Sequence, residues 1–267
     1  MHVDPVATNL YALSAPGQKT IGEGIQLGML YAFDFDGTLA PIVANPEQAR
    51  PSQSVIRHMQ ILCELAEVAV VSGRRMEDVR ERLGFTPHYL IGNHGIENDD
   101  GARDESADEI MSAWRKSLEP YALRLRQAGI LVEDKGLSFS LHYRTARDRT
   151  QALATIDDIA NTLEPRPRRI GGKFVVNFLP PGAPDKFHAL QALMTKRGFR
   201  SAFFMGDDVT DDLVFDQAPA HWLTIRVERL EGSRARFYLS SQNEVVLLIQ
   251  TLINRLTALS AARRPLP

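Results

Sequence analysis

The 267-residue chain has little cysteine and no long apolar run, and neither sign of charge prevails. Its one cysteine, Cys63, excludes any intrachain disulfide, and its setting in Ile61-Leu62-Cys63-Glu64-Leu65 reads as a buried, inert thiol. No stretch of 18 or more apolar residues occurs, and the N-terminus lacks a basic segment followed by an apolar one, so a cytoplasmic protein without a membrane partner is expected. With 31 basic and 33 acidic residues the net charge is −2, which gives no field to draw the chain onto nucleic acid. The phosphate-binding pattern G-x-x-x-x-G-K-[ST] is missing, as is G-x-S-x-G. Gly22, Gly24 and Gly28 miss the dinucleotide fingerprint by one residue and precede a strand instead of following it. The histidines are too dispersed for a zinc site.

What is present is alternation. Apolar runs at Tyr31-Ala32-Phe33, Val68–Val71 and Tyr89-Leu90-Ile91 are separated by helical patterns over 52–66 and 76–83. This is the signature of βαβ units around a parallel sheet, and the unbroken apolar character implies burial on both faces. Beyond Asn98-Asp99-Asp100-Gly101, a turn signal, the pattern changes. A helix is expected from Ser106 to about Ala128, and Leu137–Tyr143 alternates with period two, as a strand with one wet face does. A helix near 148–163 and a strand at Phe174-Val175-Val176 complete a separate α+β unit. The first pattern then resumes with a helix over 185–197, strands at Ala202–Met205 and Leu223–Val227, and a final helix from about 243 to 259. The expected organisation is therefore a Rossmann-like α/β core (28–97 and 181–267) interrupted by an α+β insertion (98–180). Residues 1–27, with scattered glycines and weak periodicity, read as a loosely ordered lead-in.

Ligands of open parallel sheets bind beyond the carboxyl ends of the strands. Three polar clusters fall there: Asp34 and Asp36 in DFDGTLAP, Ser72, and Asp207, Asp208 and Asp211 in GDDVTDD. Lys186 opens the helix after the insertion. Gathered carboxylates require a cation, and oxygen ligands of this kind suit Mg²⁺, which also holds phosphate oxygens. Asp34 fits the role of a nucleophile forming an acyl-phosphate, and Asp36 that of the accompanying acid and base. Singly, each cluster reads equally well as a turn or helix cap; together they point to phosphoryl transfer.

DFDGT, VVSGR, Lys186 and GDDVTDD resemble the haloacid dehalogenase superfamily of phosphatases, and the insertion stands where that superfamily carries its larger cap. DFDGTLAPI, VVSGR, GNHGIE, EDKGLSFSLHYR and GDDVTDD together resemble the trehalose-6-phosphate phosphatases over about residues 30–230. The resemblance implies Asp34 as nucleophile and Asp36 as acid and base. It places Mg²⁺ on the Asp34 carboxylate, the Asp36 backbone carbonyl and Asp207, with Asp208 or Asp211 in support, and gives the phosphoryl group to Ser72 and Lys186. Glu133 and Lys135 of EDKG match residues that grip a disaccharide, and Arg74 and His94 join them as substrate-binding candidates. Two differences stand out. Asn177 occupies a position where a substrate-gripping glutamate is common, and Phe187 follows Lys186 where glycine is usual. The implied function is Mg²⁺-dependent hydrolysis of trehalose 6-phosphate; another sugar phosphate, or a noncatalytic phosphosugar-binding module, is the alternative. The sequence gives no oligomeric state, and a monomer is favoured.

Overall fold

The computed structural model describes residues 9–98 and 105–263. The chain divides into two compact units, Met1–Asp99 with Lys186–Pro267, and Asp100–Asp185. In chain order the first unit begins with β1 (Leu10–Tyr11), α1 (Ala15–Gly24), β2 (Leu30–Phe33), α2 (Gln53–Leu65), β3 (Val68–Val71), α3 (Met76–Leu83), β4 (Tyr89–Gly92) and β5 (Glu97–Asn98). The second unit holds α4 (Glu105–Leu118), α5 (Ala122–Gln127), β6 (Leu131–Asp134), β7 (Phe139–His142), α6 (Arg149–Ala160), β8 (Arg168–Gly172) and β9 (Val175–Leu179). The chain returns to the first unit with α7 (Lys186–Arg197), β10 (Ala202–Gly206), α8 (Val209–Gln217), β11 (Leu223–Val227), β12 (Phe237–Leu239) and α9 (Val245–Arg263).

The first unit is built on an eight-stranded sheet of order β1-β12-β11-β10-β2-β3-β4-β5, parallel except for the short edge strand β5. Every residue of β2, β3, β10 and β11 is buried, because helices cover both faces. Tyr31, Phe33, Val68, Val70, Phe203 and Met205 share one core with the apolar stripes of α2 and α9. Leu30, Ala32, Ala69, Val71 and Phe204 share the other with α7 and α8. From β2 the order runs to β3 and β4 on one side and to β10, β11 and β12 on the other, so the topological switch point lies at the carboxyl end of β2. α9 is the one described helix long and apolar enough to cross a membrane. It instead buries Val245, Leu248, Ile249, Leu252, Ile253 and Leu256, at three- and four-residue spacing, in the core.

The lead-in expected over 1–27 is corrected for its described part. β1 pairs in parallel with β12, Leu10 beside Phe237 and Tyr11 beside Tyr238. α1 is capped by Ser14, whose Oγ accepts from the Gly17 N–H at 3.1 Å, and buries Ile21. Pro16 and three glycines give this segment poor helix propensity, and tertiary contact overrides it. A Cβ at Gly17 would lie 2.1 Å from the Tyr11 carbonyl oxygen, and one at Gly24 2.7 Å from the Leu223 side chain. Gly17 and Gly24, which weaken the helical signal, are what let the helix seat.

The second unit is a four-stranded antiparallel sheet of order β6-β7-β9-β8 with α4, α5 and α6 supplying the apolar partners of Phe139, Leu141 and Phe178. The helix expected over 106–128 is interrupted at Glu119-Pro120-Tyr121, a 3₁₀ turn, since proline cannot continue the ladder. The turn expected at 98–101 falls largely outside the described residues. β6 and β8 carry LVED and RRIGG, sequences of weak strand propensity that pairing imposes. The unit ends at Asp185, five residues beyond the expected 180. Arg168 explains this: its guanidinium donates to the Ala183 carbonyl at 2.5 Å and to Asp185 Oδ2 at 2.9 Å, tying the exit segment to β8.

Candidate active site

Asp34 extends β2 by one residue, its N–H donating to the Met205 carbonyl of β10 at 2.8 Å. The chain then turns at Gly37, with φ +79°, and returns so that the Gly37 N–H reaches the Ala40 carbonyl at 2.7 Å. A Cβ at Gly37 would lie 2.1 Å from Asp207 Oδ2, so only glycine lets this turn meet the loop after β10. That loop passes from Gly206 through Asp207 and Asp208 into α8. A capping box closes it: Asp211 Oδ2 accepts from the Asp207 and Asp208 N–H groups at 2.9 and 3.0 Å.

Lys186, first residue of α7, is buried, and its Nζ lies 2.5 Å from Asp34 Oδ1 and 2.7 Å from Asp211 Oδ1. Carboxylate oxygens of Asp34, Asp207 and Asp211 all lie within 4.8 Å of one another. Burial pushes the Asp34 carboxyl well above the usual range, and Asp211 and Asp207 add to the rise while Lys186 opposes it. Burial likewise raises Asp207, with Asp211 and Asp208 beside it, to about 8. Burial works against the Lys186 ammonium, but Asp211 and Asp34 outweigh it and hold its pKa above the ordinary lysine value. Ionised together, three crowded carboxylates against one ammonium would carry two excess negative charges, which is why burial favours the protonated forms of Asp34 and Asp207 here. A divalent cation with oxygen preference matches that excess.

The other expected residues of this unit take four positions. Ser72 is buried at the end of β3, next to β2, and its Oγ accepts from the Arg74 N–H at 3.2 Å. Arg74 grips Asp36 with a two-pronged pair, Nε to Oδ2 at 2.6 Å and Nη2 to Oδ1 at 2.7 Å. It is thus engaged with a carboxylate, where a substrate contact was expected. Burial works against its charge, while Asp36 and Asp78 outweigh that and raise its pKa. His94 is buried, with φ +61°; its N–H donates to the Ser72 carbonyl at 3.0 Å, and its ring covers Gly73, where a Cβ would lie 2.5 Å from Cε1. Asp208 caps α8, and burial raises its carboxyl.

Phe187 is buried against Trp222, with ring centroids 6.0 Å apart, so the residue after Lys186 is a packing residue of the second core cluster. Sequence reading missed Arg226. It lies near the end of β11 and donates to Asp212 Oδ1 at 2.5 Å and to the Asp207 carbonyl at 2.7 Å, pinning the aspartate loop from below. An arginine inside the apolar run LTIRV was the available signal. Asp78, four residues from Arg74 on α3, and Gln242, whose Nε2 donates to the Thr38 carbonyl at 3.0 Å, carried none.

In the second unit Glu133 is half exposed; its Oε2 is 2.9 Å from His142 Nε2 and 3.9 Å from Lys135 Nζ. These three form one polar cluster at the β6–β7 pair. Asn177, expected at the substrate, makes strand-joining contacts. It is buried, accepts from Ser140 Oγ at 2.5 Å and donates to the Ile170 carbonyl at 3.2 Å. Its amide joins three strands, and the face of β7 expected to be wet is closed at Ser140.

Residues 32–241 match the family model for trehalose-phosphatase. Over 97% of its length the chain is 30% identical to a trehalose-phosphate phosphatase of Mycobacterium marinum, covering 68% of that protein. The fold is shared with the crystal structure of a trehalose-6-phosphate phosphatase related protein, at TM-score 0.71 and 23% identity, over 88% of this chain and 100% of that one. It is shared also with a C. albicans trehalose-6-phosphate phosphatase C-terminal domain, at TM-score 0.69 and 21% identity, over 92% and 99%. With its family match running from the strand before Asp34 to beyond the aspartate loop, the chain belongs to the trehalose-phosphatase family.

Proposed function

We propose that the protein hydrolyses trehalose 6-phosphate to trehalose and phosphate in two displacements. Family membership supports the substrate, and the observation that carries the mechanism is the buried Asp34 carboxylate set between Lys186 and the aspartate loop at the switch point of the sheet. An Asp34 carboxylate oxygen attacks phosphorus, the bond to the sugar oxygen breaks, and Asp36 delivers a proton to that oxygen as trehalose departs. Asp36, now ionised, takes a proton from water; the water oxygen attacks the aspartyl-phosphate, releasing phosphate and restoring Asp34. Lys186 and Ser72 hold the phosphoryl oxygens, the ammonium offsetting charge that the attacking carboxylate would otherwise repel.

The donor set fits Mg²⁺, which the carboxylates of Asp34 and Asp207 and the Asp36 backbone carbonyl would hold. Asp211 has both oxygens engaged by Lys186 and two backbone N–H groups, which suits it to orienting the loop. When bound, the ion supplies the positive charge that neutralises phosphoryl oxygens. Glu133 and Lys135 take the sugar hydroxyls. On this reading the reaction needs no partner beyond its sugar phosphate, and a cytoplasmic setting and a monomer are part of the proposal.

The test is phosphate release from trehalose 6-phosphate beside glucose 6-phosphate and sucrose 6-phosphate, with Mg²⁺ and with EDTA. The proposal requires a metal-dependent preference for trehalose 6-phosphate that Asp34→Asn abolishes. A higher kcat/KM for another sugar phosphate, or turnover undiminished in EDTA, would refute it.

A further inference from the structure

We propose that Asp78 is a positioning residue for the proton transfer, acting through Arg74 on Asp36. The inference rests on the reading of Asp36 as the acid and base of phosphoryl transfer. Asp36 sits on a turn, its side chain about one-third exposed, with no helix or strand of its own to fix it. Its direction is set by Arg74, which engages both carboxylate oxygens at 2.6 and 2.7 Å. Arg74 is in turn held at two further points: Nη1 donates to Asp78 Oδ2 at 2.9 Å, and Nη2 to the Pro46 carbonyl at 2.9 Å. Asp78 is itself pinned, because Arg82 Nη1 donates to its Oδ1 at 2.6 Å and to its backbone carbonyl at 3.2 Å.

The sequence builds this chain on one helix. Arg74 precedes α3, while Asp78 and Arg82 lie on it at successive four-residue steps, so one face carries plus, minus, plus in line toward Asp36. A planar guanidinium presents its donors in a fixed fork, and fixing one edge on Asp78 fixes the direction of the edge that meets Asp36. The arrangement seen suits the carboxylate left once the proton has gone to the sugar oxygen, both oxygens accepting. A protonated Asp36 retains one accepting oxygen for Arg74 and turns its O–H toward the breaking bond. Asp78 acts only through Arg74, away from substrate and reacting atoms.

The need for a placed acid depends on the leaving group: a nitrophenolate departs unaided, whereas a sugar alkoxide does not. The experiment therefore compares kcat/KM for 4-nitrophenyl phosphate, phenyl phosphate and trehalose 6-phosphate in the wild type, Asp36→Asn, Asp78→Asn and Arg74→Lys. The result expected for Asp78→Asn is a loss of about tenfold on phenyl phosphate and trehalose 6-phosphate, against less than about twofold on 4-nitrophenyl phosphate. Arg74→Lys, which keeps the charge but loses the fork, should show the same graded dependence. Because the comparison is a ratio among substrates, a smaller folded fraction cancels. Equal losses on all three substrates in Asp78→Asn and Arg74→Lys, with Asp36→Asn still graded, would overturn the inference alone. Equal losses in Asp36→Asn as well would overturn the acid role of Asp36, and this inference with it.

Discussion

The two units differ in how they handle charge, the Arg168–Asp185 tie, with Asp185 buried, being the second unit's nearest approach to the first. In the first, Lys186, Asp34 and Asp211 have side chains 3%, 6% and 0% exposed, and Arg226 is 7% exposed beside Asp212. In the second, Arg115–Asp134, Arg124–Asp158 and Arg169–Asp157 lie at the surface, each partner 40% exposed or more. A buried charge is tolerated only while its partners remain, so each buried group in the first unit depends on the others. A surface pair in the second unit is screened by water and each partner is solvated without the other. The same interaction type is thus mutually dependent where it is buried and close to dispensable where water solvates each partner.

Lys186→Met is the sharpest way to break this contrast. It leaves Asp34 and Asp211 without their cation, and a loss of about 3–5 kcal/mol in denaturant unfolding is expected, together with a fall of about 10³-fold in kcat. Added Mg²⁺ should return part of the stability, since it binds the folded carboxylates alone; no response to the ion would argue against the carboxylate site. Arg226→Met comes next. It strands Asp212 and frees the Asp207 carbonyl, and is expected to cost about 3 kcal/mol and to weaken Mg²⁺ binding measured by calorimetry. An unchanged Mg²⁺ affinity would mean that the aspartate loop holds its shape without Arg226.

Asn177→Ala tests whether the second unit contains any buried polar dependence of the same kind. It leaves Ser140 and the Ile170 carbonyl without their partner, and a cost of about 1–3 kcal/mol is expected, with KM for the sugar phosphate little changed. A large rise in KM with normal stability would instead return Asn177 to the substrate. Arg169→Gln, at the surface of that unit, should change unfolding by no more than about 1 kcal/mol. Cys63 gives the smallest effect: burial, aided by Glu64 and Glu67, raises its thiol to about 11. Alkylation by iodoacetamide should therefore stay slow at pH 8 and accelerate only toward pH 11, because the neutral thiol persists below that value. Fast labelling at pH 8 would place Cys63 in a more open setting.

How far each unit was legible follows from the same contrast. In the first, four-residue runs buried on both faces announce β2 and β3 within a residue, and α3 matches the expected 76–83. There, local pattern and tertiary demand coincide. In the second, β6 and β8 show no such pattern, because LVED and RRIGG become strands only by pairing with β7 and β9. The N-terminal segment failed for a related reason: its glycines read as disorder, yet Gly17 and Gly24 are close-approach positions. Within the site, Asp207 and Asp211 were visible as polar groups after an apolar run and Lys186 as the opening of the helix after the insertion. Arg74 was visible too, but its partner was not, and the strand-joining hydrogen bonds of Asn177, expected at the substrate, carried no local signal.

By itself the sequence determined that strands end in carboxylates and a glycine turn, that a lysine opens a later helix, and that an insertion separates the two halves of the core. These are properties of residues close in the chain, set by steric and hydrophobic periodicity. Only the tertiary structure decided which charges meet. Lys186 reaches Asp34 across 152 residues, Arg74 reaches Asp36 across 38, and Arg226 reaches the Asp207 carbonyl across 19. Such pairings carry no local signature, since a charged side chain is compatible with many partners until packing removes water and leaves one.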